Sequence, residues 1–257
     1  VSMSVPTLLV TGASGHLGRA VVRHLLETLK VPPARIIATS RKPEALADLA
    51  AAGVIVRTAD FDAPATLATA FAGADRVLLV STDALLEPGK RLAQHRTAVQ
   101  AAVEAGVKHV VYTSLPAPAT SHVSFAPDHL GTEQALEASG LGWTVLRNAW
   151  YAENLAYSLP SALASGEWVT AAGEGGVAYI AREDLAHAAA VALAADSTAN
   201  RTFTLTGTQA LNAREIAAKV SEALGKPLAI VGVTPDQLAE GLCGHGFPPV
   251  LADVFTS

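Results

Sequence analysis

Up to position 147 the chain alternates two textures. Short runs of β-branched and apolar residues stand at 7–10, 36–40, 54–57, 76–80, 109–113 and 143–147, each of strand length and each closed by polar or turn-forming residues. Between them lie alanine-rich stretches of helical period: 19–29, 43–52, 62–71 with Asp62 as an expected N-cap, 92–105 stopped by Gly106, and 128–139 stopped by Gly140. Strands alternating regularly with helices predict a parallel sheet covered on both faces, because a parallel connection needs a crossover.

After Arg147 the rhythm changes. Residues 148–165 read as helical with an irregularity at Pro160, 168–170 as a short strand, 173–176 as a turn, 182–195 as a helix opened by Asp184, and 202–205 as a strand. A helix over 212–224 is framed by Asn212, Glu215 and Gly225, and Thr234-Pro235-Asp236-Gln237 is a capping box with proline at the first helical position. The expected fold is α/β: a Rossmann-type doubly wound parallel sheet over 1–147 and a smaller C-terminal α/β lobe over 148–257, some of whose elements return to the main sheet.

The turn between the first strand and first helix reads Thr11-Gly12-Ala13-Ser14-Gly15-His16-Leu17-Gly18. Gly12 suits the positive φ of a tight turn, Gly15 lets a pyrophosphate approach the backbone, and Gly18 lets the helix pack closely. Amides at a helix N-terminus then face the phosphates. Gly12, Ser14, Gly15, His16, Leu17 and Gly18 are therefore expected to bind a dinucleotide. At the end of the second strand an NAD site usually carries Asp or Glu; here Ser40-Arg41-Lys42 stands there. Arg41, helped by Lys42, suits a 2′-phosphate, so NADPH is expected before NADH. Asp60 and Phe61 are expected at the adenine, and Ser81 and Thr82 along the ribose and pyrophosphate.

Composition narrows this further. The 257 residues carry a net charge of −5 and are half hydrophobic, which suits a large core and not a nucleic-acid surface. Cys243 stands alone, excluding an internal disulfide, and is expected to be a small, at least half-buried hydrophobe. No signal segment or membrane-length apolar run is present. The expectation is a cytoplasmic protein acting on a small molecule, with no metal.

The glycine turn together with Gln94-His95-Arg96, Ala105-Gly106-Val107-Lys108-His109, Tyr112-Thr113-Ser114 and Leu146-Arg147-Asn148-Ala149-Trp150-Tyr151-Ala152-Glu153-Asn154 resembles the NmrA-like atypical short-chain dehydrogenase/reductases. Within them the likeness is greatest to the type 2 NAD(P)H:quinone oxidoreductases and the triphenylmethane reductases. Those groups run longer, so a C-terminal tail that they carry is expected to be absent from this sequence. Ordinary short-chain dehydrogenases protonate their substrate with a Tyr-x-x-x-Lys pair. No tyrosine here has a lysine four residues on; the corresponding helix carries His129 and Glu133 instead.

The resemblance implies hydride delivery to a quinone-like or conjugated aromatic acceptor, whose reduced form is a stabilised phenolate needing no strong protein acid. Thr113, Ser114, Glu133 and Asn148 are then expected around the cofactor. His129, Asn148 and Tyr151 are the candidate catalytic residues, with His129, Tyr151 or water as proton source. Phe125, His129, Trp150, Tyr151 and Tyr179 are the candidate substrate contacts. Arg147 anchors a loop or pairs with Glu133, and His95 caps or packs a helix. Two other readings stay open: a dinucleotide-binding redox sensor without catalysis, and a tailoring enzyme for an aromatic natural product.

Overall fold

A computed structural model describes residues 5–256. In chain order the regular elements are β1 (Leu8–Val10), α1 (His16–Arg23), β2 (Ile36–Ser40), α2 (Ala47–Ala51), β3 (Ile55–Thr58), α3 (Pro64–Phe71), β4 (Arg76–Leu79), α4 (Lys90–Glu104), β5 (His109–Ser114), α5 (Ala126–Ala138), β6 (Gly142–Asn148), α6 (Leu159–Ser165), β7 (Glu167–Thr170), α7 (Arg182–Ala194), β8 (Arg201–Leu205), α8 (Ala213–Leu224), β9 (Ala229–Gly232), α9 (Pro235–Gly244) and α10 (Pro249–Thr256). They form two compact units. One holds the described residues up to 119 with 126–148 and 183–204; the other holds 120–125, 149–182 and the chain from 205 on.

The first unit is built on a seven-stranded sheet in the order β3-β2-β1-β4-β5-β6-β8. Pairing is parallel from β3 through to β6. The order reverses between β1 and β4, and open α/β sheets bind ligands outside the carboxyl ends of the strands at such a switch point. Strand residues alternate between the faces. Leu9, Ile37, Val77, Leu79, Val110 and Tyr112 share one buried cluster with Leu67 and Phe71 of α3, Ala98 and Ala102 of α4 and Leu136 of α5. Arg76 points the other way on β4, where its guanidinium donates to the carbonyls of Leu193 (2.8 Å), Ser197 (3.1 Å) and Ala192 (3.3 Å). Arg76 thus satisfies carbonyls that the end of α7 leaves unpaired. At its other end α7 is tied to α1: Glu183 takes Arg23 and His24, and the His24 and His187 rings stack with centroids 4.8 Å apart.

The second unit has a two-stranded parallel sheet of β7 and β9, with Trp168, Ala162, Ile216 and Ala217 at its core. Both expected capping boxes form, Asn212 with Glu215 and Thr234 with Gln237. Residues 148–165 are not one helix. Asn148 ends β6, 152–157 wind as a 3-10 helix, and α6 begins only at Leu159 with Pro160 in its first turn. Cys243 is exposed on α9; the expected burial fails because α9 has no fully buried residue. No described helix is long and apolar enough to cross a membrane.

Candidate functional site

In the first unit a cleft of about 430 Å³ opens at the switch point, lined by the glycine turn, the ends of β2 and β4, the 59–62 segment and the start of α4. Gly12 turns the chain with φ +60°. The turn is pinned by Gly15 N–H to the Gly12 carbonyl (2.9 Å) and Ala13 N–H to the Thr39 carbonyl (2.9 Å). Gly15 is the N-cap of α1 and brings no side-chain cap, so the first-turn amides of His16, Leu17 and Gly18 have no intrahelical acceptor. Gly12, Ser14 and Gly15 line the cleft, whereas the Leu17 side chain and Gly18 are buried behind it. Any role for Leu17 and Gly18 toward a ligand is therefore a backbone role, while the His16 side chain is exposed. Such a row of amides at the positive end of a helix fits a pyrophosphate.

Ser40 is buried; its Oγ lies 2.9 Å from Ser14 Oγ and accepts the Lys42 N–H at 3.0 Å. This ties the end of β2 to the glycine turn and sends Arg41 to the cleft wall, while Lys42 is not part of that wall. The Arg41 side chain is 67% exposed, with Nη2 3.9 Å from Asp83 Oδ1. The other cation at the cleft, Lys90, is engaged by Glu87 (2.9 Å) and Asp62 (3.7 Å). Asp60 and Phe61 line the wall. Asp62 does not cap α3, whose N-cap is Ala63 with no side-chain bond. Its carboxylate instead accepts from Gln94 Nε2 at 2.9 Å, a tie between the 59–62 segment and α4.

Beyond β4 the predicted residues separate into wall and interior. Ser81 and Thr82 line the cleft. Thr113 is buried behind them and its Oγ1 accepts the Ser81 N–H at 2.9 Å. Ser114 donates to Glu133 Oε1 at 2.6 Å, and Arg147 grips the same carboxylate with Nε (3.1 Å) and Nη2 (2.6 Å). The Arg147–Glu133 alternative is thus the one the fold takes. Glu133, 5% exposed, is a neutralised structural carboxylate, held by a bidentate charge-assisted pair.

His129 is also buried, 3% exposed, with Nδ1 2.8 Å from the Tyr112 hydroxyl. Burial, reinforced by the Arg91 charge, pushes its pKa far below the usual imidazole range, and burial pushes the Tyr112 hydroxyl up. The expectation of His129 as an acid is corrected accordingly: a neutral imidazole that resists protonation has no acidic proton to give near neutral pH. Asn148, at the carboxyl end of β6, is buried, and its Oδ1 has no hydrogen-bond partner among the described residues. A buried amide acceptor left unpaired is costly; the carboxamide N–H of a nicotinamide is a donor of the right kind.

The remaining aromatic candidates, Phe125, Trp150, Tyr151 and Tyr179, belong to the second unit and are all half-buried. The backbone around Trp150 and Tyr151 is laced to 178–180: Ile180 N–H donates to the Trp150 carbonyl (3.1 Å) and Ala152 N–H to the Ile180 carbonyl (2.9 Å). Arg182 lies over the Tyr151 ring, 5.4 Å from its centroid, and the Glu153 carboxylate accepts the Arg182 N–H. Tyr179 packs against the Trp168 cluster.

Sequence reasoning missed Asp83, Glu87, Lys90 and Gln94 in the cleft wall. A signal for Gln94 was there. The buried stripe of α4 runs Arg91, Gln94, His95, Ala98, Val99, Ala102, at helical spacing throughout. Its first turn carries large polar residues where the rest carries small apolar ones, which marks the point at which the helix leaves the core for a polar cleft.

The NmrA-like family profile matches residues 5–255. The chain belongs to the NmrA-like family. Among relatives of this NmrA-like protein, quinone oxidoreductase 2 of Escherichia coli (strain K12) is 38% identical over 245 residues, which cover 95% of this chain and 84% of that protein. The crystal structure of an NADPH-dependent quinone oxidoreductase of Escherichia coli in complex with NADPH superposes with a TM-score of 0.91 at 37% identity, over 97% of this chain and 86% of that one. The triphenylmethane reductase of Citrobacter sp., solved with NADP(H), superposes with a TM-score of 0.89 at 35% identity, over 97% of this chain and 87% of that one.

Proposed function

We propose that this NmrA-like protein is an NADPH-dependent reductase whose acceptor is a quinone-like or other conjugated aromatic small molecule. The reductase class and the cofactor follow from the relatives and from the cleft. The glycine turn has uncapped helix amides suited to a pyrophosphate, and Arg41 on the cleft wall is the cation assigned to a 2′-phosphate. Asn148 brings an unpaired buried amide oxygen suited to a carboxamide. When bound, the cofactor supplies a hydride from C4 of its nicotinamide.

The acceptor class rests on one observation: Glu133, clamped by Arg147 and Ser114. His129 and Glu133 stand at the i, i+4 spacing of the usual Tyr-x-x-x-Lys relay, and neither does its work. Glu133 is an ion-paired carboxylate where a cation would be required, and His129 resists protonation. A carbonyl that becomes an alkoxide needs an acid; a quinone that becomes a phenolate does not. The first unit's own residues then bind and orient the cofactor, which is where most of the rate would arise. Trp150, Tyr151 and Tyr179 of the second unit stay candidate contacts for an aromatic acceptor, to which flat rings would offer apolar surface. Water or Tyr151 is left as the proton source.

The test is NADPH oxidation followed at the nicotinamide absorbance with a panel of benzoquinones, naphthoquinones and triphenylmethane dyes. Turnover with at least one class is expected. Tight NADPH binding without turnover on the whole panel sinks the proposal and leaves the redox-sensor reading. Cofactor choice is checked separately. Arg41→Ala is expected to weaken NADPH by about 10- to 100-fold, the worth of one or two charge-assisted bonds, and to leave NADH nearly unchanged. Asp83→Asn is expected to shift the ratio modestly toward NADPH. Parallel titrations with both nucleotides decide it; an unchanged ratio in Arg41→Ala removes Arg41 from the assignment.

A further inference from the structure

We propose that His95 is a positioning residue for the cofactor, acting through the backbone amide of Thr82 to hold the wall of the cleft that follows β4. This builds on the reading of the cleft as the NADPH site. Three consecutive amides leave the end of β4, and each is taken by a side chain from a different element. Val80 N–H donates to Thr11 Oγ1 at 2.9 Å, Ser81 N–H to Thr113 Oγ1 at 2.9 Å, and Thr82 N–H to His95 Nε2 at 3.0 Å. Thr11 follows β1 and Thr113 lies in β5, the two strands that flank β4. His95 comes from α4.

The consequence is a sorting of polarity within one cleft. Across the glycine turn the ligand meets uncapped N–H groups. Along Val80–Thr82 the three N–H groups are all taken by side chains, so none is left as a donor to a ligand, and the Ser81 hydroxyl oxygen accepts from Thr113 Oγ1 at 3.3 Å. The Thr82 Oγ1 itself has no hydrogen-bond partner among the described residues. A wall without a free amide disfavours a phosphate, which needs donors, and leaves the ribose as the part of the cofactor assigned to it. Each tether keeps one donor out of the cleft, and His95 supplies the tether at the segment's outer end.

The direction of the His95 bonds is fixed. Nε2 accepts from a backbone amide, so the ring proton must be on Nδ1, which lies 2.9 Å from Thr132 Oγ1. Thr132 sends its own hydroxyl hydrogen to the Asp128 carbonyl at 2.7 Å, which leaves its oxygen free to accept from His95. A doubly protonated or Nε2–H ring would face the Thr82 amide with a second donor. The ring is fully buried, and burial lowers its pKa to about 3, so it keeps the single neutral tautomer that the tether requires.

The test compares His95→Gln, whose Oε1 can accept the Thr82 N–H, with His95→Leu, which cannot. In His95→Leu the dissociation constant and KM for NADPH are expected to rise about tenfold, the effect of one unpaired buried amide, and KM is expected to rise more than kcat falls. His95→Gln is expected to recover most of the loss. If both variants lower thermal stability yet bind NADPH like the wild type, the role is structural only and the proposal fails. Nitrogen NMR of the wild-type imidazole gives a second measurement that needs no variant. A non-protonated Nε2 that shifts on NADPH addition supports the tether, and a protonated Nε2 overturns it. Failure of the wild type to bind NADPH would overturn the reading of the cleft instead, a result distinct from either outcome at His95.

Discussion

Gly18→Ala is expected to lower the unfolding free energy by about 1–3 kcal/mol, with Gly18→Val worse. A Cβ placed on Gly18 would stand 2.8 Å from the Gly12 carbonyl carbon and 3.0 Å from the Ala13 Cα, and closer still to the Gly12 oxygen. All three are backbone atoms of the turn, so no flexible side chain can move aside. Either α1 retreats from the turn or the turn opens, and both moves displace the first-turn amides from the cleft. Cofactor affinity should therefore fall along with stability. Gly15 is the control, because its Cβ would meet the same carbonyl at 3.3 Å, a contact that a small adjustment relieves. Gly15→Ala is expected to weaken NADPH binding with much less loss of stability. Denaturant titration checks both, reading the midpoint at constant m. A Gly18→Ala protein with the wild-type midpoint would show that the tight helix-to-turn packing is not needed.

The second large effect is a loss of stability in mild acid. Burial pushes His129 far down, and brings His95 to about 3 and His109 to about 4; Arg91 adds to the effect at His95 and His129, and Arg76 at His109. The folded pKa is depressed in each case. Stability from these rings is thus complete above the unfolded value near 6.5, and is lost as pH falls from there toward the folded pKa, because the unfolded chain takes up protons that the folded chain refuses. Between pH 7 and pH 5 each such ring removes about 2 kcal/mol, so the three together remove about 6 kcal/mol, which is comparable with the whole stability of many domains. Urea unfolding at pH 7, 6 and 5 should show the fall. His129→Gln, measured against the wild type, should flatten the slope by about one proton. A pH-independent midpoint across that range would mean that the rings are protonated in the fold.

Much of the first unit was legible because its signals are local. Runs of β-branched residues became β2, β5 and β6 almost residue for residue, and Gly106 and Gly140 take the positive φ that stops a helix, as Gly225 does in the second unit. The glycine turn was readable for the same reason, since Gly12 and Gly18 answer steric demands made within seven residues. The site beyond the turn was less so. For Glu133 the sequence left pairing with Arg147 as one of two alternatives beside a cofactor contact, and the choice appears only when β5 and β6 bring Ser114 and Arg147 to its carboxylate. His129 reads as a cleft histidine until Tyr112 is found behind it. The polar stripe at the start of α4 breaks the apolar period of a buried face, so His95 was legible only as a residue that caps or packs a helix, and Gln94 only as part of the Gln94-His95-Arg96 segment. In the second unit β9 and α10 were missed: β9 has four residues, none fully buried, and carries too little alternation to stand out from a loop.

The placement of β8 bears on how this chain is made. It pairs beside β6 at the edge of the large sheet, although residues 149–182 of the other unit are synthesised between them. On the ribosome β6 must wait as an open edge, with its ladder groups unpaired, until residues 201–205 emerge. The same interval delays α7, to whose last carbonyls Arg76 donates. A chain halted near residue 150 would hold the whole glycine turn and most of the cleft, yet would present a bare strand to any neighbour. Nascent chains of this protein are therefore most exposed to mispairing late in translation, after the nucleotide site is already built.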